Sequence, residues 1–315
     1  MFAAPIVFEP LFMERVWGGR WLQEAYGKPL PPGAVIGESW ELVDRDEAQS
    51  IAEDGTSLHT LWTEHREAVF GARGAASASP RFPILVKLLD AEQALSVQVH
   101  PPAAVAPRLG GEPKNECWVL ADARPDAYLL VGLRDGVDRA AFEAALTAGE
   151  DVSLMLQRIP VRRGDAIDIP SGRVHAIGGG CLIAEIQQNS DTTYRVYDFN
   201  RPGLDGRPRE LHVPQSLASI DFADVEPQLV PRDGETIAHT AYFEVDRWRL
   251  DGARAAAPAG ECAVVQVLEG EVETAGGRRF GPGSLFLLPA AADPTLRGQR
   301  ALVLRTLLAP DTQKS

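Results

Sequence analysis

The stretch Ala94–Pro102, ALSVQVHPP, alternates apolar and polar side chains. Read as a strand, it puts Leu95, Val97 and Val99 on one face and Ser96, Gln98 and His100 on the other, because successive side chains point to opposite sides. The first face is core. The second carries a hydroxyl, an amide and an imidazole and no charge, which is not the composition of a face bathed in water.

Working outward, the neighbouring segments have the same character. FPILVKLLD, ECWVLAD, AYLLVGL, GDAIDIP, CLIAEIQQ, TYRVYDF, AVVQVLEGEVE and GSLFLLPA are short apolar runs, mostly bounded by Gly, Pro, Asp or Asn. This rhythm predicts a mainly β protein. Helical periodicity is confined to Ser57–Phe70 and Asp138–Leu146, the latter with Gly149 placed as a stop. Pro, Asp and Gly collect over Glu226–Thr236, which predicts a boundary between residues 1–230 and residues 231–315. The second part echoes the first weakly. GDAIDIP (Gly164–Pro170) and GSLFLLP (Gly283–Pro289) share Gly-x5-Pro, but the first reaches His175 five residues later where the second reaches Pro294. The second unit is therefore expected to lack metal ligands.

A chain of 315 residues with 45% hydrophobic content has room for one large or two ordinary cores. Its net charge of −13 argues against a nucleic-acid or anionic-membrane partner, both of which need a basic footprint. The N-terminus has no basic start, Glu9 and Glu14 interrupt its apolar character, and no run approaches a membrane span. Cys117, Cys181 and Cys262 sit in apolar, strand-like segments, as expected of reduced, buried thiols in a cytoplasm.

Four segments supply side chains of metal-ligand type: Gln98 and His100 on one strand face, Glu116 in KNECW, and His175 after the Pro-x-Gly turn of PSGRVHAIGG. Two imidazoles, a carboxylate and an amide suit zinc, and less selectively other divalent first-row ions. With one negative ligand the site would carry a charge near +1, suited to polarising an oxygen-rich ligand.

Gly164–His175 matches the second motif of the cupin superfamily, Gly-x5-Pro-x-Gly-x2-His. The fuller set, VWGG, GESWEL, LVKLLDAEQALSVQVHPP, KNECW, GRVHAIGGG and EIQQNSDTTYRVYDFNR, resembles the type I phosphomannose isomerases in their short bacterial form, strongly over Val16–Arg201 and weakly beyond. The resemblance implies a cupin (jelly-roll) barrel with a few helices, a smaller cupin-like β domain after it, and one Zn2+ on Gln98, His100, Glu116 and His175. It further implies reaction-centre roles for Arg195, Glu185 and Lys114, and places Lys87 and Ser96 toward the phosphate of a sugar phosphate substrate. The activity implied is interconversion of mannose 6-phosphate and fructose 6-phosphate through an enediol, by a cytoplasmic monomer or homodimer. Glu185 and Lys114 both remain open as the base. Two departures from the family pattern, Pro102-Ala103 in place of an acidic pair and Asn115 in place of Thr or Pro, leave substrate identity less fixed than the metal site. The alternatives are a non-catalytic sugar-binding cupin, an isomerase of another sugar phosphate, and a cupin oxygenase, which would favour iron and more histidines.

Overall fold

A computed structural model describes residues 2–310. In chain order the first part comprises β1 (Leu11–Gly19), α1 (Trp21–Tyr26), β2 (Ile36–Leu42), α2 (Leu58–Glu64), α3 (Arg66–Ala76), β3 (Ile84–Ala91), β4 (Val97–Val99), β5 (Glu116–Ala123) and β6 (Tyr128–Leu133). It continues with α4 (Arg139–Ala148), β7 (Leu156–Pro160), β8 (Ala166–Ile169), β9 (His175–Ile177), β10 (Cys181–Gln188), β11 (Tyr194–Tyr197) and α5 (Val213–Ser219). The remainder is all strand: β12 (Thr236–His239), β13 (Phe243–Ala255), β14 (Ala263–Thr274), β15 (Arg279–Phe280), β16 (Leu285–Leu288) and β17 (Thr295–Leu308).

Two sheets make the barrel, one ordered β1-β2-β3-β10-β5-β8 and the other β11-β4-β9-β6-β7, each built of antiparallel neighbours. This is the expected mainly β architecture. The third sheet, β12-β13-β17-β14-β15 with β16 on β14, closes round its own core of Trp248, Val265, Val267, Phe286 and Val303. It docks on the outer face of the first sheet through one continuous apolar layer that joins Trp62, Phe70 and Phe82 to Phe243, Leu285, Leu287 and Leu304. Burying one such side chain is worth about 1.5–3 kcal/mol, so this layer is a strong joint. The N-terminal segment crosses it as well, with Ile6 bridged to Leu287.

The helical readings hold with one adjustment. Asp138 caps α4 by accepting from the Ala141 amide, and Gly149 ends it with a left-handed φ of 72°. The run Ser57–Phe70 is two helices rather than one, broken at His65; Ser57 caps the first through the Thr60 amide. The strand read from ALSVQVH is shorter than its pattern, only Val97–Val99, since Pro101 and Pro102 have no amide hydrogen to continue the ladder. Val97 and Val99 enter an apolar cluster with Val174 and Val196 as expected, whereas Leu95, outside the paired segment, packs in the other cluster with Trp17, Leu129 and Ile183. All three cysteines are free and buried. No helix among the described residues is long and apolar enough to cross a membrane.

Candidate active site

Strand register sets two rows of side chains facing each other inside the barrel. On the first sheet, Trp40 pairs with Lys87, Lys87 with Glu185, Glu185 with Trp118 and Trp118 with Ile167. On the second, Arg195 pairs with Gln98, Gln98 with His175 and His175 with Val131. The rows meet where the Trp118 indole stands edge-on to the His175 ring, 5.2 Å between centroids. Lys114, Glu116 and Trp118 follow one another at the two-residue period of a strand.

His100, Glu116 and His175 converge, with potential ligand atoms all within 4.8 Å of one another, and all three are buried. Each imidazole is oriented from behind: Nδ1 of His100 donates to the Thr192 carbonyl at 2.9 Å, and Nδ1 of His175 to the Arg173 carbonyl at 2.9 Å. Both Nε2 atoms are thereby left as acceptors toward the cavity, the arrangement found in metal-ligating histidines. Burial first, with neighbouring positive charge, drives both imidazole pKa values down, that of His175 to about 3, so both rings are neutral. Glu116 is the reverse case: burial opposes its charge, but the Lys114 ammonium keeps it well below the carboxylate range.

The separations suit a tetrahedral ion. Bonds of about 2.0–2.1 Å require ligand atoms roughly 3.3–3.5 Å apart. His100 Nε2 lies 3.4 Å from Glu116 Oε2, His175 Nε2 3.6 Å from Glu116 Oε1, and the Gln98 amide nitrogen 3.3 Å from His175 Nε2. A half-turn of the Gln98 amide exchanges its nitrogen for Oε1, the atom an amide can offer to a metal. The carboxylate of Glu116 has both oxygens buried with no directional donor, although Lys114 Nζ approaches Oε2 to 2.6 Å. A buried carboxylate, ion-paired on one oxygen with Lys114 and set between two acceptor nitrogens, has the donor chemistry to hold a divalent cation.

Beside this cluster Glu185 lies between two ammonium groups, 3.6 Å from Lys87 and 3.9 Å from Lys114, while its Oε2 accepts the Trp118 indole N–H at 2.9 Å. Burial and Glu116 raise its pKa. Burial pulls against the Lys114 ammonium, but Glu116 and Glu185 together hold its pKa above the lysine range. Lys87 also faces Asp191 at 3.9 Å and the Trp40 ring at 5.0 Å. Ser96 donates to Gln98 Oε1 at 3.4 Å, one strand repeat from the cluster. Arg195 is half-buried; its Nη1 donates to the Glu210 carbonyl at 2.8 Å, and its Nε is buried without a partner among the described residues. Thus seven of the nine expected side chains form one contacting group, with Ser96 and Arg195 at its margin.

Several neighbours carry no signal in the sequence. Glu38 is buried in the same cavity wall, where burial opposes its charge but Lys87 and Arg15 hold its pKa down at about 2; it accepts from Trp40 Nε1 at 2.7 Å and Arg15 Nη2 at 2.9 Å. Asn115, the departure beside Glu116, is a staple: its Nδ2 donates to Gln188 at 2.6 Å and its Oδ1 accepts the Ser171 amide at 2.9 Å. It joins the Glu116 strand to the turn that presents His175. Gly172 in that turn has φ 92°, a region where side-chain-bearing residues are strained, and its amide donates to the His100 carbonyl at 2.8 Å. A groove of about 590 Å³ elsewhere, lined by Arg45, Arg73 and Arg81, excludes the metal cluster. Its arginines are already paired with Glu112, Glu244 and Asp46.

Residues 7–129 match the family model described as "Phosphomannose isomerase type I, catalytic domain". The mannose-6-phosphate isomerase ManA of Bacillus subtilis is 35% identical over 305 residues, covering 92% of this chain and 94% of that one. The chain belongs to the type I phosphomannose isomerases. Another family member, the mannose-6-phosphate isomerase of Streptococcus mutans, is 37% identical across 84% of this chain and 86% of its own length. A crystal structure of a mannose 6-phosphate isomerase from Bacillus subtilis superposes with a TM-score of 0.84 at 31% identity, over 96% of this chain and 99% of that one. As a phosphomannose isomerase the chain is an enzyme, and the barrel cavity is the place in it where buried titratable groups and two oriented imidazoles meet.

Proposed function

We propose that the chain is a zinc-dependent aldose-ketose isomerase that interconverts mannose 6-phosphate and fructose 6-phosphate through an enediol. The observation carrying this reading is the contact of two sets of groups in one buried cavity: a zinc-type donor set, and a carboxylate held between two lysines. Zinc on Gln98, His100, Glu116 and His175 supplies, when bound, positive charge near developing oxyanions. One ion per chain is proposed, since His100, Glu116 and His175 are the grouping of such side chains found among the described residues.

Moving a proton between C2 and C1 needs a base near neutral pKa and charge stabilisation on the adjoining oxygens. Glu185 is the proposed base. Its raised pKa suits proton transfer, whereas Lys114, paired with Glu116, is the proposed source of positive charge beside it. Arg195 is proposed to stabilise the enediolate from the opposite sheet, where it pairs with Gln98. Lys87 and Ser96 are proposed to face the phosphate; an ammonium buried in an apolar strand next to two carboxylates supports such a role for Lys87. Three buried free thiols are in keeping with work in a cytoplasm, as a monomer or homodimer.

The test is a coupled assay for fructose 6-phosphate formed from mannose 6-phosphate, run beside a panel of hexose and pentose phosphates. Activity lost on chelation and regained with zinc is expected. Turnover indifferent to chelation overturns the metal assignment, and preference for another sugar phosphate overturns the substrate.

The Trp118 indole donates to the proposed base, so Trp118→Phe removes one hydrogen bond to a charged group while keeping an aromatic ring beside His175. Such a bond is worth about 1.5–3 kcal/mol, and kcat is expected to fall roughly 10- to 100-fold. Steady-state kinetics with metal content measured in parallel check this; unchanged kcat would remove Glu185 from the reaction.

A further inference from the structure

Beyond β11 the chain leaves the barrel, turns over and returns, and the turn is held by one carboxylate. Phe199 and Asn200 take left-handed φ values of 55° and 53°, a conformation that side-chain-bearing residues keep only when surroundings impose it. The hairpin they start is closed by the Pro202–Pro208 bridge and by the Gly203 amide on the Arg207 carbonyl. Asp198, buried at the base, accepts Arg209 Nε at 2.6 Å and Nη2 at 2.5 Å together with Arg201 Nε at 3.1 Å and Nη2 at 3.0 Å. Arg201 also reaches the Ala94 carbonyl with Nη1, at the start of the segment carrying Ser96 and Gln98.

The returning chain touches Arg195 three times. The Glu210 carbonyl accepts Arg195 Nη1 at 2.8 Å, the His212 amide donates to the Arg195 carbonyl at 2.7 Å, and the Arg195 amide donates to His212 Nδ1 at 3.2 Å. Glu210 is adjacent in sequence to Arg209, so fixing Arg209 fixes the carbonyl that holds the Arg195 guanidinium. Asp198 also supplies the negative charge among three neighbouring guanidinium groups: burial and Arg209 bear on Arg195 in one direction and Asp198 in the other. Without it the guanidinium groups repel one another, and the Glu210 carbonyl that accepts Arg195 Nη1 loses the Arg209 pair that fixes it.

We infer that Asp198 is a positioning residue: by clasping Arg209 and Arg201 it sets the Glu210 carbonyl, and through it the Arg195 guanidinium, at the cavity mouth. The inference rests on the reading of Arg195 given above. Asp198 touches neither the metal cluster nor the proposed base, so its effect on the reaction passes through the groups it clasps: Arg209, which leads to Arg195, and Arg201, which leads to the Ala94 carbonyl; the double variant separates the two.

The experiment is a cycle of Asp198→Asn, Arg195→Ala and the double variant, with Asp198→Glu as the conservative control. Asp198→Asn keeps the shape and removes the charge. Displacing a catalytic group by about 1 Å can cost on the order of 10²-fold, so kcat is expected to fall by up to that amount with KM and zinc content little changed. Asp198→Glu is expected to recover part of the loss, and the double variant to be no slower than Arg195→Ala alone, because a group acting through Arg195 has nothing to act on once it is gone. Losses that multiply, or a rise in KM with kcat intact, overturn the inference.

Two further readouts separate its failure from other failures. The Arg195 Nε–H resonance, assigned by its absence in Arg195→Lys, is expected to shift in Asp198→Asn; an unmoved resonance overturns the clasp whatever the kinetics. Near-normal turnover of Arg195→Ala with a shifted resonance instead overturns the catalytic reading of Arg195 and leaves the clasp standing. Should Asp198→Asn unfold, Arg209→Gln breaks the same pair while Asp198 keeps Arg201, and the same resonance and kcat are read on it.

Discussion

Alanine at position 175 is expected to give a folded chain that has lost its metal and at least 10³-fold of its turnover, since a metal stabilises developing charge by several kcal/mol and each 1.36 kcal/mol is tenfold in rate. His175 is buried and faces His100, Glu116, Gln98 and Trp118 without belonging to any of the apolar clusters that hold the sheets together. Its removal takes one neutral nitrogen from the donor set and leaves the Glu116 carboxylate with a single imidazole neighbour. The barrel has other supports. The apolar layer beneath the third sheet and the cluster of Trp17, Leu89, Leu120, Leu129 and Ile183 are built from other strand positions. A site of this kind contributes less to folding than a structural zinc cluster does. Metal analysis of the purified variant, thermal unfolding and the coupled assay together check the expectation. Stoichiometric zinc with full turnover would show that His175 is no ligand.

The same residue shows which parts of the site can be seen in a sequence. His175 is legible because the turn before it has a rigid chemical signature: Pro170 ends β8, Gly172 supplies the left-handed backbone, and the strand begins on the histidine itself. Gln98 and His100 are legible because a period of two betrays a polar face in an apolar strand. Glu38, Trp40 and Trp118 are not. They join Glu185 through the pairing of β2 with β3, β3 with β10 and β10 with β5, which brings residues 147 apart (185 − 38) into one cavity wall by strand order alone. Nothing local announces that order. The same holds for Asn115, which looks like a departure from a family pattern and proves to be the link between the Glu116 strand and the His175 turn.

Where the sequence overstated an element, backbone chemistry explains the difference. Alternation in ALSVQVH runs over the six residues Leu95–His100, but the ladder needs amide donors on both sides and pairs only over Val97–Val99. Over the paired residues the side chains still alternate, with Gln98 turned toward His175 and Val97 and Val99 away from it. Likewise the apolar positions Leu58, Leu61, Trp62 and Val69 share one buried surface although the chain breaks at His65, because the second helix turns back onto the same core. Periodicity reports which faces are buried more reliably than where hydrogen bonding stops.

Arg195→Ala is expected to lower kcat by about 10²- to 10³-fold while KM and zinc content stay near their starting values, the cost typical of losing one preorganised donor to a developing oxyanion. The split follows from when the interaction forms. Charge on the enediolate oxygen exists only along the reaction coordinate, so a guanidinium aimed at it adds nothing to substrate binding and acts on kcat. The local structure supports such timing. Arg195 is tied by its amide, its carbonyl and Nη1 to the returning chain at Glu210 and His212, yet its buried Nε has no acceptor among the described residues. Leaving a buried donor unpaired costs about 1–3 kcal/mol, and on the proposed reading that cost is offset only as charge builds on an oxygen opposite Gln98 in the transition state. An arginine that gripped the phosphate would behave differently, since the phosphate carries its charge before, during and after the reaction; KM would then rise and kcat would hold. Steady-state kinetics on mannose 6-phosphate distinguish the two, and near-normal kinetics would reduce Arg195 to an ordinary strand arginine whose unpaired Nε is an unexplained cost.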